Sequence, residues 1–81
     1  MSNITSANKY VAVTPHDSTN ILGFSRIRGL YIGVSGNVVV VDSSGNAVTF
    51  SNVPVGILPV ECVRVNATST TATNIVALGD V

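Results

Sequence analysis

The sequence predicts an all-β fold: a small antiparallel sandwich or barrel of about six strands, preceded by an extended N-terminal arm. Three observations carry that prediction. Short runs rich in Val, Ile, Thr and Tyr recur along the chain, separated at near-even spacing by Gly, Pro, Asn, Asp and Ser. Ile21–Arg28, the segment that could be mistaken for a helix, is too short and too glycine-interrupted to make a convincing one. A chain of 81 residues holds one domain at most, so the strands must share one core, assigned to residues 9–81 with residues 1–8 as the arm.

The arm, Ser2 to Asn8, is small, polar and aperiodic, and is expected to be ordered only where something holds it. Lys9–Thr14 (KYVAVT) reads as a strand with Val11 and Val13 on one face and Tyr10, Ala12 and Thr14 on the other. Pro15 stops it, because proline brings no backbone donor to a ladder. The following PHDSTN is loop chemistry, and Ile21–Arg28 reads as an irregular crossover. Gly29–Val34 is the next strand, with Leu30, Ile32 and Val34 inward and Tyr31 and Gly33 outward; Ser35-Gly36 turns the chain.

Asn37–Asp42 holds four consecutive valines and runs into Asp42-Ser43-Ser44-Gly45, a type I turn closed by a left-handed glycine. The return strand, Asn46–Ser51, alternates, with Val48 and Phe50 on one face and Ala47, Thr49 and Ser51 on the other. Asn52–Gly56 bends at Pro54. Ile57–Asn66 is predicted as one longer strand whose Pro59 implies an edge or a bulge. Ala67–Thr73 is a threonine-rich connection into a last strand, Asn74–Leu78.

Composition narrows the function classes. Only 10% of residues are charged, against roughly 25–35% expected on the surface of a free-standing domain, so much of this surface is expected to face something other than water. Net charge is zero, which removes the counterion-release term behind nucleic-acid binding. No apolar run approaches the ~20 residues of a membrane-spanning helix. Met1–Tyr10 has neither the basic start nor the apolar centre of a signal peptide, so the expected location is the cytosol or a particle assembled there. A single cysteine cannot make an internal disulfide, and one histidine with one cysteine is too few for a structural zinc site. No metal, cofactor or catalytic residue is assigned. Of the usual supports for a thin core, association with other chains is the one left.

The valines sharpen that expectation. Val38–Val41 and Ile75–Leu78 do not alternate, as strands covered on both faces do not. So small a two-layer domain has little of its own to cover a second face. Val39 and Val41 are therefore assigned to an interface, the crossover Ile21–Arg28 being the alternative cover. Burying a valine contributes about 1.5–3 kcal/mol, so two per subunit matter against a total stability of ~5–15 kcal/mol.

Few constellations suggest chemistry. His16-Asp17-Ser18 has the residue types of a hydrolase triad, but neighbours in a loop cannot line up nucleophile, base and orienting carboxylate; a loop-stabilising role is expected. Cys62 lies mid-strand without a basic neighbour and reads as a small core side chain. Glu61 and Arg64 form a candidate surface pair worth under ~1 kcal/mol. Arg26 and Arg28 share a face if extended and could clamp carboxylates on a partner. Asn3-Ile4-Thr5 and Asn66-Ala67-Thr68 match the glycosylation pattern, which an Asn- and Thr-rich chain meets by chance. No site for enzymatic chemistry is visible.

The motifs along the chain, Thr14-Pro15 with Asp17-Ser18-Thr19, Arg28 with Leu30-Tyr31, Val48-Thr49-Phe50 with Val53-Pro54, Leu58-Pro59-Val60, and Arg64-Val65 through Leu78, resemble a family of small virion proteins of tailed phages and gene transfer agents that serve as head-spike base or capsid-accessory proteins. The resemblance spans Thr14 to Leu78. Glu61-Cys62 departs from it where a basic residue is expected. It implies a β-rich module on the outside of an icosahedral shell in the virion that either cements neighbouring capsid proteins or seats a fibre, partnered by itself as a trimer or pentamer and by the major capsid protein. With it, Ser2, Asn3, Ile4, Thr5 and Ser6 become candidate interface residues along a neighbour, with Tyr31 joining Arg26, Arg28, Val39 and Val41. The rival is a carbohydrate-binding or host-attachment module, for which only Tyr10 and Tyr31 offer outward rings. A single-strand nucleic-acid binder would need a basic groove that this chain lacks.

Overall fold

A computed structural model describes residues 7–81, so the candidate interface residues Ser2 to Ser6 lie outside the described residues. The chain is all-β, with β1 (Lys9–Ala12), β2 (Arg26–Val34), β3 (Gly36–Val41), β4 (Ala47–Val53), β5 (Gly56–Leu58), β6 (Arg64–Val65) and β7 (Thr73–Asp80). They form two antiparallel sheets, one of four strands in the order β1-β7-β2-β5 and one of three in the order β4-β3-β6. This is the two-layer arrangement expected of short strands with one apolar face each.

The core lies between the sheets. Leu30, Ile32, Ile75 and Ala77 come from the larger sheet, and Val38, Val40, Val53 and Val65 from the smaller. Ile21 and Phe24, from the segment before β2, are partly buried against this cluster, so that segment closes an open side of the sandwich. The alternation predicted for β2 is present at Leu30 and Ile32, while Val34, at the strand end, is exposed.

Close approach requires glycine at two positions. A Cβ on Gly79 would strike the Arg26 carbonyl oxygen, opposite the bulge that shifts the β2–β7 register between Ile27 and Gly29. A Cβ on Gly36 would sit 2.6 Å from the Ala72 amide nitrogen. The β3–β4 turn is as predicted: the Gly45 amide donates to the Asp42 carbonyl at 3.0 Å, and Gly45 has φ 89°.

Three sequence expectations are corrected. Residues 57–66 are not one strand: Pro59 breaks the ladder, leaving β5 in the larger sheet and β6 in the smaller, joined by a crossing segment. The irregular crossover is shorter than predicted, because Arg26–Arg28 already belong to β2. The threonine-rich connection is a structural edge. Thr71 Oγ1 accepts from the Asn37 amide at 2.8 Å, Thr70 Oγ1 accepts from the Val39 amide at 3.0 Å, and the Thr71 and Ala72 amides donate to the Asn37 carbonyl.

Candidate functional site

The assignment of Val39 and Val41 to an interface fails. Val38, Val39, Val40 and Val41 are 0, 7, 7 and 2% exposed within the single chain. Val38 and Val40 point into the inter-sheet core, whereas Val39 and Val41 form a second layer on the far face. Arg64 stands opposite Val41 in register, which places its aliphatic stem on that face. Its Nε donates to Asn66 Oδ1 at 2.8 Å and its Nη1 to Asn20 Oδ1 at 3.1 Å. The cover is thus supplied within the chain, with Arg64 of β6 beside Val41, while Ile21 and Phe24 of the crossover pack against the core cluster.

The arginines are also engaged within the chain. Arg28 Nε meets Asp80 Oδ2 at 2.9 Å with both side chains about three-quarters buried. Arg26 lies 4.0 Å from Glu61, a wide and exposed pair worth little. Glu61 therefore faces Arg26 rather than the predicted Arg64, whose guanidinium is held by asparagines. The β2 bulge turns Arg28 toward Asp80, so the two arginines do not form a matched clamp.

Tyr31 does lie on an exposed surface. In the β2 register it stands opposite Val76 on one side and Ile57 on the other, while Tyr10 stands opposite Leu78. Partners across antiparallel strands share a face, so the outer face of the larger sheet carries Tyr10, Tyr31, Ile57, Val76 and Leu78. Tyr10, Tyr31 and Ile57 are exposed, and Val76 and Leu78 are half-buried. Contiguous apolar faces of this kind mark interaction sites on small soluble folds.

The His16-Asp17-Ser18 loop is a structural joint. Asp17 accepts from the Ala67 and Thr68 amides at 2.9 Å and from Thr68 Oγ1 at 2.7 Å. The Thr68 amide and hydroxyl, helped by the Ala67 amide, hold its carboxyl below the ordinary carboxylate range. Its partners are 50 and 51 residues away rather than nearby, so the joint ties the first loop to the threonine-rich edge. His16 Nδ1 accepts from the Ser18 and Thr19 amides at 3.1 and 3.2 Å, which closes the loop locally. Cys62 is buried, and desolvation pushes its thiol up to about 11, the state of an unreactive core side chain. Among the described residues, no group of three His, Cys, Asp or Glu is placed to hold a metal ion.

One further feature had no sequence signal. A cleft of about 190 Å³ opens where the sandwich meets β4, with Val40, Val48, Phe50 and Val60 as its floor and Asp42 and Glu61 at its rim. It falls below the ~300–1,000 Å³ typical of small-molecule sites and suits a single side chain.

No protein-family model and no curated protein matches the chain. Among solved structures it is similar to a chain in the capsid of a native gene transfer agent particle computed with C5 symmetry. The two share 40% sequence identity over 90% of this chain and 83% of that one, with a TM-score of 0.79.

Proposed function

The chain belongs to the same family as that gene transfer agent capsid chain, and from that premise we propose that it is a structural virion protein, a capsid decoration or head-spike base subunit bound to the outer capsid surface as a homo-oligomer. The observation that carries this reading is the match itself, since 40% identity over nine-tenths of the chain conserves more than a fold. The low charge content and the apolar outer face of the larger sheet support it, because both suit a surface held against protein. The partners are further copies of the chain and the major capsid protein, with a fibre as a third. The ring is a trimer or a pentamer. No catalytic step is assigned to any residue.

In this reading Tyr31 and its neighbours on the outer face contact the shell, and residues 2–6 reach along a neighbouring subunit, whereas Asn8, placed in the arm by the sequence, is tied within its own chain to Gly79 of β7 and to Val81. Particles lacking the protein are mixed with the purified chain and pelleted. Co-sedimentation at a fixed number of copies per particle is expected, with weakened binding for a chain lacking residues 2–6. A wild-type chain that stays in the supernatant overturns the reading.

The common face of Tyr10 and Tyr31 favours one other reading, a carbohydrate-binding or host-attachment module on the virion. A glycan-array signal lost on Tyr31→Ala supports it over shell contact.

A further inference from the structure

The sheet edges of this domain are guarded unequally. β5 is three residues long and flanked by Pro54 and Pro59. β1 is four residues long and carries Lys9. β6 has its outer side taken by the first loop, since the His16 and Ile21 amides donate to the Val65 and Val63 carbonyls. Short length, proline, charge and a covering segment are the usual protections of an edge.

β4 has none of them. It runs for seven residues, AVTFSNV, without charge or proline, and among the described residues nothing pairs with its outer side. The turn bond from the Asp42 amide to the Asn46 carbonyl sets the alternation along the hairpin, so Val48 and Phe50 bond back to β3 while Ala47 and Thr49 direct their backbone groups outward. Val48 and Phe50 also form part of the cleft floor, and Val48 is 54% exposed. A strand laid along β4 would set every second side chain on the Val48 face, where the cleft has room for one.

We propose that β4 and the adjoining cleft form a strand-addition site for residues Ser2–Ser6 of a second copy of this chain, with Ile4 opposite Val48 and seated over Phe50 and Val60. The inference rests on the homo-oligomer reading above and names the contact through which copies join. The occupant is argued from what lies outside the described residues. Residues 1–6 lie before Ala7, and a segment of that length spans roughly 20 Å when extended. Ser2–Ser6 contain no acidic group to clash with the Asp42 and Glu61 rim, and a single apolar side chain, Ile4, between small polar neighbours. Main-chain pairing supplies affinity in such an arrangement, and the one pocketed side chain supplies register.

The test is a disulfide between Ile4→Cys and Val48→Cys in the full-length chain; Cys62 is buried and does not compete. Oxidation at assembly concentration is expected to give a ladder of covalently linked copies on a non-reducing gel, lost on reduction. Exchange of the Ala47 and Thr49 amides in the wild-type oligomer is expected to slow at least about tenfold relative to a chain lacking residues 2–6. A product of monomer size, whether unlinked or closed within one chain, overturns the inference, as does unchanged exchange at both amides. Co-sedimentation of the wild-type chain with particles is scored separately. Capsid binding without the intermolecular disulfide sinks this inference alone, and the disulfide without capsid binding upholds it while sinking the capsid reading.

Discussion

β3 and β4 are the two arms of one hairpin, both uncharged and both carrying valine, yet they have opposite fates. Every valine of β3 is sealed within the chain, whereas Ala47, Val48 and Thr49 of β4 are exposed. Their apolar content does not separate them so much as what lies along each hydrogen-bonding edge. β3 is central, with β4 on one side and β6 plus Thr70 and Thr71 on the other; β4 has a partner on one side. In a small sandwich, a two-sided apolar strand thus reports a central position in its sheet, and an alternating uncharged neighbour reports the edge left open.

The largest effect expected from this contrast is a charge introduced on each arm. Val38→Asp places a carboxylate in a site with no exposure and is expected to abolish folding, by more than ~3 kcal/mol. Val48→Asp is expected to leave the monomer within about 0.5 kcal/mol of wild type. Urea unfolding of the two variants checks this, and equal losses would erase the distinction. A smaller difference is expected for threonine. Thr70→Val leaves the buried Val39 amide without its acceptor and is expected to cost about 1–3 kcal/mol, while Thr49→Val on the open arm is expected to be neutral in the same assay.

Thiol accessibility sharpens the comparison further. Cys62, 5% exposed with its thiol pushed up to about 11, is expected to resist alkylation at neutral pH until the protein unfolds, whereas a cysteine at position 48 in a chain lacking residues 2–6 labels at once. Mass spectrometry of the labelled peptides distinguishes them.

The mildest effect concerns acid. Asp17 and Asp42 both have folded pKa values below the ordinary 3.8, Asp17 through the Thr68 amide first and Asp42 through the Asn46 amide first. Groups depressed in this way contribute stability that is fully present above the unfolded value and is lost as pH falls through the folded one. Asp17→Asn is therefore expected to flatten the acid limb of the unfolding curve below about pH 4, with the melting temperature as the readout. A limb identical to wild type would mean that the loop joint is not linked to folding.

Much of this was legible in the sequence, and the residues show why the rest was not. Alternation across Leu30, Tyr31 and Ile32 and the Asp42–Gly45 turn are local signals, and both are present in the fold, while the alternation fails at Val34 where the strand ends. Cys62 reads as core because nothing beside it activates a thiol, and burial agrees. Val39 and Val41 read as interface residues because Arg64, which stands beside Val41 in the fold, is a distant position that no spacing rule connects to them. The threonine-rich stretch reads as a connection for the same reason, since its hydroxyls act on Asn37 and Val39 more than thirty residues away. Arg26 and Arg28 look like a clamp until the β2 bulge and Asp80 separate them. The open cleft depends on how two sheets meet, a relation absent from any one segment.

A capsid subunit of this kind is defined by where it sits in a particle. Electron microscopy of purified particles with and without it is expected to show difference density on the outer shell. That density should consist of bodies of about 28 × 25 × 23 Å arranged as a ring on a symmetry axis, three copies at a threefold position or five at a fivefold one. Identical maps, with the chain recovered as a folded monomer free of particles, would contradict it.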